Sequence, residues 1–350
     1  MWIRLILAVV LASGFGYGWQ ALDRVSVQVV GQPSTAGPIQ SDVEEPFFTH
    51  LTAQTGLPLD VDYEPTDRLG FKDSFQLPML KRDLLELVSL RFTQNAAAEP
   101  TLLGFDLPGL STNFDVAQTL VRAYGPTLDQ RLRENFDSKL LGIWPFGPQV
   151  FFCRVPITGL TDLRGLKVRV GDNAVAPLIS SLDATPVAIA FEDVGTALRT
   201  EMIDCAISSA SSANAAGWPG EATHYYPLST QMGLNGYVIS LKIWNRLTTA
   251  EQSVLQAAFD EHVRKIWDRT VRVDADAASC SIGGPCVHGK PYHLIAVPTT
   301  PADERRIRDA FDAVTFANWA ATCDKVHPGC SQDWRDRVLG GMVLVFIATA

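Results

Sequence analysis

The sequence predicts an α/β protein built as two lobes, on three observations: a strand, helix, strand rhythm repeated along the chain, a length of 350 residues with 47% hydrophobic content, and one long capped helix near residue 250. A chain of that length and apolar content can bury more than one core.

The rhythm begins at 25–30, where Val25, Val27 and Val29 alternate with polar residues and form one face of a strand. Val43, Phe47, Phe48 and Leu51 follow at helical spacing and stop at the breaker Gly56-Leu-Pro58. Leu59, Val61 and Tyr63 alternate again, and further strands are expected at 84–88, 140–144, 168–170, 187–189 and 205–207. Between the last two, Val194, Ala197 and Leu198 share a helical face, which makes a compact βαβ unit and argues for largely parallel sheets.

Thr248-Thr-Ala-Glu251 has the capping-box pattern of a helix start. Val254, Leu255, Phe259, Val263, Ile266 and Trp267 continue at three- and four-residue spacing, and no Gly or Pro intervenes before Gly283. A helix of more than 25 residues that braces both lobes is one reading, and two helices parted near Asp274 is the other. There is no internal repeat or long linker, so the lobes are expected to be joined by several crossings. The apolar run at 343–350 is too short to span a bilayer and is expected to pack as a terminal element.

A formal charge of -9 excludes nucleic acid and anionic membrane surfaces as partners, since both need clustered Lys and Arg. The first residues carry Arg4, an apolar run at 5–12 and then small residues, which reads as an export signal cut between 19 and 24, with an uncleaved anchor as the alternative. Export permits disulfides. Cys280 and Cys286 flank a Gly-Gly-Pro turn, and Cys323 and Cys330 flank Pro328-Gly329, so each pair is a disulfide candidate. Cys153 and Cys205 lie in apolar strand-like runs and read as buried free thiols. Zinc held with His288, His293 or His327 is the rival reading for the late cysteines, but the chain has no Cys-x-x-Cys knuckle and no metal is expected.

The chain contains no Gly-x-Ser-x-Gly elbow, phosphate loop, dinucleotide fingerprint or His-Glu-x-x-His pair, so no catalytic residue and no cofactor is assigned. His224 reads as a structural histidine at a loop. Asp60, Asp62 and Glu64 follow strand alternation and lack the spacing of a calcium loop.

The stretch GLTDLRGLKVRV at 159–170 resembles the "DLKGLKIRV" motif of the substrate-binding proteins of TRAP (tripartite ATP-independent periplasmic) transporters, the DctP-like family. The segments around 186–204 and 237–247 resemble the family's "PVPMPFSEVYTALQTGVVDG" and "FLVNKKFWDSLP", and Gly104-Phe-Asp-Leu-Pro108 resembles its "LPFLF" region. The resemblance covers nearly the whole chain after the signal. It implies a two-lobed periplasmic-binding-protein architecture with mixed sheets, crossing hinge segments and a bracing helix. It also implies a monomeric receptor in the periplasm that takes a small organic acid to membrane subunits.

The family's carboxylate-holding arginine matches Arg169, whose guanidinium fork suits a carboxylate at any relevant pH. A second polar contact about twenty residues earlier in relatives points to Gln149. Ser208 and Ser209 stand where relatives carry "GQENP" or a Glu-Trp pair, so the ligand and any accompanying cation do not transfer. Asn235, Ser89 and Gln32, with Ser34, are further candidates, and Trp144 and Trp218 are candidate aromatic walls. The division implied is 1–21 as signal, 22–146 with 235–275 as lobe I, and 147–234 with 276–350 as lobe II. A receptor for another transport or chemosensory system, or an enzyme with a distributed site, are the competing functions.

Overall fold

The computed structural model describes residues 24–171 and 173–338, so the export signal and the 343–350 run lie outside the described residues. Eleven strands are described: β1 Val25–Gly31, β2 Leu59–Pro65, β3 Leu87–Arg91, β4 Ser138–Pro145, β5 Val150–Cys153, β6 Lys167–Val170, β7 Thr185–Ala188, β8 Cys205–Ser208, β9 His224–Tyr226, β10 Leu234–Ser240 and β11 Ile295–Ala296. They form a five-stranded sheet ordered β2-β1-β3-β10-β4 and a six-stranded sheet ordered β11-β9-β5-β8-β6-β7.

Both sheets are mixed. The βαβ steps β1–β2, β1–β3 and β6–β7 are parallel as the rhythm predicts, but β10 runs antiparallel to β3 and β4, and β5 runs antiparallel to β8 and β9. These two reversals are where the chain crosses from one sheet to the other. The strand expected at 84–88 lies three residues later, because Asp83 adopts φ 55 at the end of the preceding helix and leaves Leu84 57% exposed in the turn.

Each sheet is covered on both faces, which explains why β5 and β10 are buried at every position rather than alternating. On one face of the first sheet, Val30, Val88 and Leu90 meet the helix Phe114–Phe136 through Leu120, Leu128 and Leu132. On the other, Val27, Val29 and Leu87 meet Phe48, Leu255 and Phe259. In the second sheet, Phe151, Val168 and Val170 face one core while Val150, Phe152 and Ala206 face another.

The capping box forms as its sequence pattern dictates: the Thr248 hydroxyl accepts from the Glu251 amide at 3.3 Å, and Glu251 Oε2 accepts from the Thr248 amide at 2.8 Å. The helix runs unbroken over 33 residues, Thr249–Ser281, so there is no break near Asp274. Leu255, Phe259 and Ile266 pack on the first sheet, whereas Ala277 packs on the second, so one rigid element spans both halves. Full burial of a side chain such as Phe259 stabilises by about 1.5–3 kcal/mol, and several such contacts hold the brace.

The two crossings between β4 and β5 and between β9 and β10 lie side by side. Gly147 donates to Met232 O at 3.1 Å, Gln149 donates to Gln231 O at 2.8 Å, and Thr230 donates back to Gln149 O at 2.9 Å. Asp106 fastens them to the first half by accepting from the Met232 and Leu234 amides at 2.7 and 2.9 Å. Toward the C-terminus the chain crosses again: Ile307 and Ala310 join a second-sheet core, and Phe311, Phe316, Trp319 and Trp334 join the first-sheet core. The sequence-based division put all of 276–350 with the second lobe, and the packing of 311–338 differs from it because that apolar cluster completes the face around Leu102 and Phe105.

Cys280–Cys286 and Cys323–Cys330 are both disulfides, as their turn-bracketing spacing suggests. Cys153 and Cys205 are also bridged, which overturns the reading of two free thiols. The reason is register: β5 and β8 run antiparallel with these two residues directly opposite, their Cα atoms 4.0 Å apart. No helix among the described residues is long and apolar enough to cross a membrane.

Candidate functional site

A cavity of about 710 Å³ opens between the two sheets, along the carboxyl ends of β3 and β6 and over both crossings. Clefts at the carboxyl ends of parallel strands are the usual ligand sites of α/β folds.

Arg169 enters it from the second sheet, where β6 lies between β8 and the edge strand β7. Val168 and Val170 turn into the core, so alternation puts Arg169 on the opposite face. Its Nε donates to Ile189 O at 2.9 Å and its Nη1 donates to Ile207 O at 3.0 Å. The guanidinium also lies 5.4 Å from the Trp218 ring centroid. Only 5% of the residue is exposed, so its orientation is fixed by backbone carbonyls and a ring before any ligand arrives.

Gln149 and Asn235 line the cavity from the crossings, and Ser208 lines it from the end of β8. Gln149 Nε2 donates to Gly147 O at 2.9 Å and Asn235 Nδ2 donates to Gly233 O at 3.2 Å, which leaves each amide oxygen available as an acceptor. Four other sequence candidates do not reach the cavity. Ser209 is buried and caps the helix Ala210–Ala215, accepting from the Ser212 amide at 3.2 Å. Gln32 and Ser89 sit behind the wall, with Gln32 Nε2 donating to Ser89 O at 2.9 Å and to Ser89 Oγ at 3.2 Å. Ser34 donates to Asp67 rather than facing the cavity. Trp144 is core, packed on Tyr237, and Trp218 serves as the platform under Arg169 rather than as an exposed wall. The apolar walls come instead from Phe71, Phe146 and Phe191.

The residue missed is Arg91, the last of β3, which faces the same cavity from the first sheet. Gln32 Oε1 accepts from its Nε at 2.8 Å, Asp73 pairs with its Nη1 at 3.2 Å, and the Phe146 ring centroid lies 5.8 Å from its guanidinium carbon. The signal was present: a cation ending an apolar strand, as Arg169 stands near the end of β6.

Asp276, Cys280 and Cys286 approach one another as a metal site would, but both sulfurs are in a disulfide. Asp276 accepts from the Val287, His288 and Gly289 amides at 2.8–3.0 Å, which explains that cluster without an ion. His327, named in the rival zinc reading, is 2.9 Å from Glu99. His224 opens β9 rather than standing at a loop, and its Nδ1 lies 2.8 Å from the Thr223 hydroxyl.

Two mixed sheets, paired crossings and a bracing helix around a polar cleft define a two-lobed solute receptor. The profile of bacterial extracellular solute-binding protein, family 7 (DctP), matches residues 34–282, and the chain belongs to that family of receptors rather than to an enzyme family. A solute-binding protein of Sulfitobacter sp. (strain NAS-14.1) is 28% identical over 215 residues, a match spanning 57% of this chain and 61% of that relative. Among solved structures, an extracytoplasmic solute receptor of Bordetella pertussis binding pyroglutamic acid superposes with TM-score 0.74 at 16% identity, over 90% of this chain and 99% of that one. A TRAP periplasmic solute-binding protein of Rhodoferax ferrireducens with bound malonate gives TM-score 0.76 at 14% identity, over 91% and 98%. One from Sulfitobacter sp. NAS-14.1 with bound β-D-galacturonate gives 0.72 at 17%, over 90% and 99%.

Proposed function

We propose that this chain is the periplasmic receptor of a TRAP transporter, which holds the carboxylate of a small organic acid on Arg169 and delivers it to membrane subunits after the lobes close. The observation that carries this reading is the Arg169 guanidinium, nearly buried, fixed at Nε and Nη1 by carbonyls, and turned into a polar cavity between the lobes. The acids bound by receptors of the same fold support it. Gln149, Asn235 and Ser208 are assigned the remaining polar contacts, and the receptor acts as a monomer exported by residues 1–21. Lobe I takes 22–146 with 235–275 and, on its packing, 311–338; lobe II takes 147–234 with 276–310.

The test is a thermal-shift screen across organic acids, followed by calorimetry of each stabilising compound on the wild type and on Arg169→Ala. Removing one side of a desolvated charge pair should weaken binding by roughly 100-fold. Affinity within threefold of the wild type would remove Arg169 as the anchor.

A further inference from the structure

The cavity holds two guanidinium groups, one from each sheet. Arg91 is clamped on the first-sheet side by Gln32 at Nε and by Asp73 at Nη1, with Phe146 against it. Both members of the Arg91–Asp73 pair are largely shielded, at 22% and 15% side-chain exposure, so solvent screens their attraction poorly. Asp73 itself lines the cavity, as the first residue of the turn Asp73–Phe75. A ligand group that reaches Arg91 therefore also meets a carboxylate. Among the described lining residues three cationic groups, Lys72, Arg91 and Arg169, stand against three carboxylates, Asp67, Asp73 and Glu192. The uncharged polar lining is ample, with Thr66, Thr93, Gln149, Gln231 and Asn235 offering amides and hydroxyls.

We infer that Asp73 is a specificity-determining residue: by neutralising Arg91 it makes the cleft select monoanionic acids with a neutral, hydrogen-bonding far end, and reject dicarboxylates of equal length. This rests on the organic-acid reading of the cleft and narrows it. A neutral carbonyl, amide or hydroxyl at the far end can accept from Arg91, on which no hydrogen bond engages Nη2 among the described residues, without confronting Asp73. A second carboxylate placed there meets like charge in a poorly screened pocket, a repulsive element of the kind that specificity requires.

The probes are malonate, succinate, glutarate and adipate, each compared by calorimetry at pH 7.5 with its monoamide, which has nearly the same shape and one charge less. In the wild type, the monoamide of any length that binds should bind at least tenfold tighter than its diacid. In Asp73→Asn the charge of Arg91 is released with little change of volume, and the ratio of diacid to monoamide affinity should rise at least tenfold. Adding Arg91→Gln to that variant should reverse the gain. The inference is overturned if the wild type binds a diacid as tightly as its monoamide, or if a folded Asp73→Asn protein leaves the ratio unchanged. Should Asp73→Asn fail to fold, as judged by circular dichroism, the wild-type comparison still decides. Binding of neither set would instead remove the organic-acid reading and this inference with it.

Discussion

Gln94 Nε2 donates to the carbonyl of Gly171 at 3.0 Å, joining the short helix Phe92–Asn95 after β3 to the residue after β6 at the cavity. It ties the first half of the protein to the second two residues beyond Arg169, where opening of the cleft must separate them. The contact is exposed, so its net worth is about 1 kcal/mol. Gln94→Ala is therefore predicted to speed ligand release about fivefold with little effect on association, read by stopped-flow fluorescence. An unchanged release rate would mean that this bond does not hold the cleft shut.

The parts of this fold that sequence reveals are those fixed by local chemistry. The capping box at Thr248 and the apolar stripe from Val254 to Trp267 reveal the start of a helix because both signals are read within a few residues, whereas local signals alone do not decide between one helix and two near Asp274. Arg169 stands inside a specific contiguous motif. Arg91 and Asp73 are separated by 18 positions and meet only because a strand end and a short turn pack together, which no local periodicity encodes. The same limit hid the Cys153–Cys205 bridge, which depends on the antiparallel register of strands that are 52 residues apart. Gln32 and Ser89 were placed in the right neighbourhood but one layer too deep, supporting Arg91 rather than facing the cavity.

That register has a consequence for stability. Closing a loop of 52 residues lowers the entropy of the unfolded chain by about 4 kcal/mol, against about 2 kcal/mol for each of the two short loops of 6 and 7 residues. Replacing Cys153 and Cys205 together by alanine should therefore shift the urea midpoint further than replacing either of the other pairs. Equal shifts for all three pairs would contradict the loop-entropy account.

Two buried groups give stability pH dependences of opposite sign. Burial holds the His262 imidazole down to about 3, stacked on Phe47 and 3.1 Å from the Tyr237 hydroxyl. Its contribution is full above the unfolded value of 6.5 and is lost as pH falls toward 3, amounting to about 5 kcal/mol over that window. Burial raises Asp274 to about 6, so its contribution is full below 3.8 and is lost as pH rises through 6, amounting to about 3 kcal/mol. Asp274→Asn is predicted to raise the melting temperature at pH 7.5 and to leave it nearly unchanged at pH 3.5. Chemical denaturation across pH checks both slopes, and an equal effect of the substitution at the two pH values would contradict the assignment.

Asp274 also constrains the crossing between the lobes. It lies on the bracing helix and accepts from the Ser211 amide at 3.0 Å, while Gly147 on the β4–β5 crossing packs against the same carboxylate. Gly147 has φ +115, a conformation that strains any residue with a Cβ, and a methyl group there would stand 3.2 Å from Asp274 Cγ and Oδ1. Gly147→Ala should therefore destabilise by about 1–3 kcal/mol through backbone strain, with a further part from the displaced carboxylate. A double-mutant cycle separates the two. Combined with Asp274→Ala, the steric part should vanish and leave the strain, giving a coupling energy of about 0.5–1.5 kcal/mol between sites 127 positions apart in the chain. Strict additivity would show that the crossing and the helix do not press on each other, and would leave Gly147 required for its backbone angle alone.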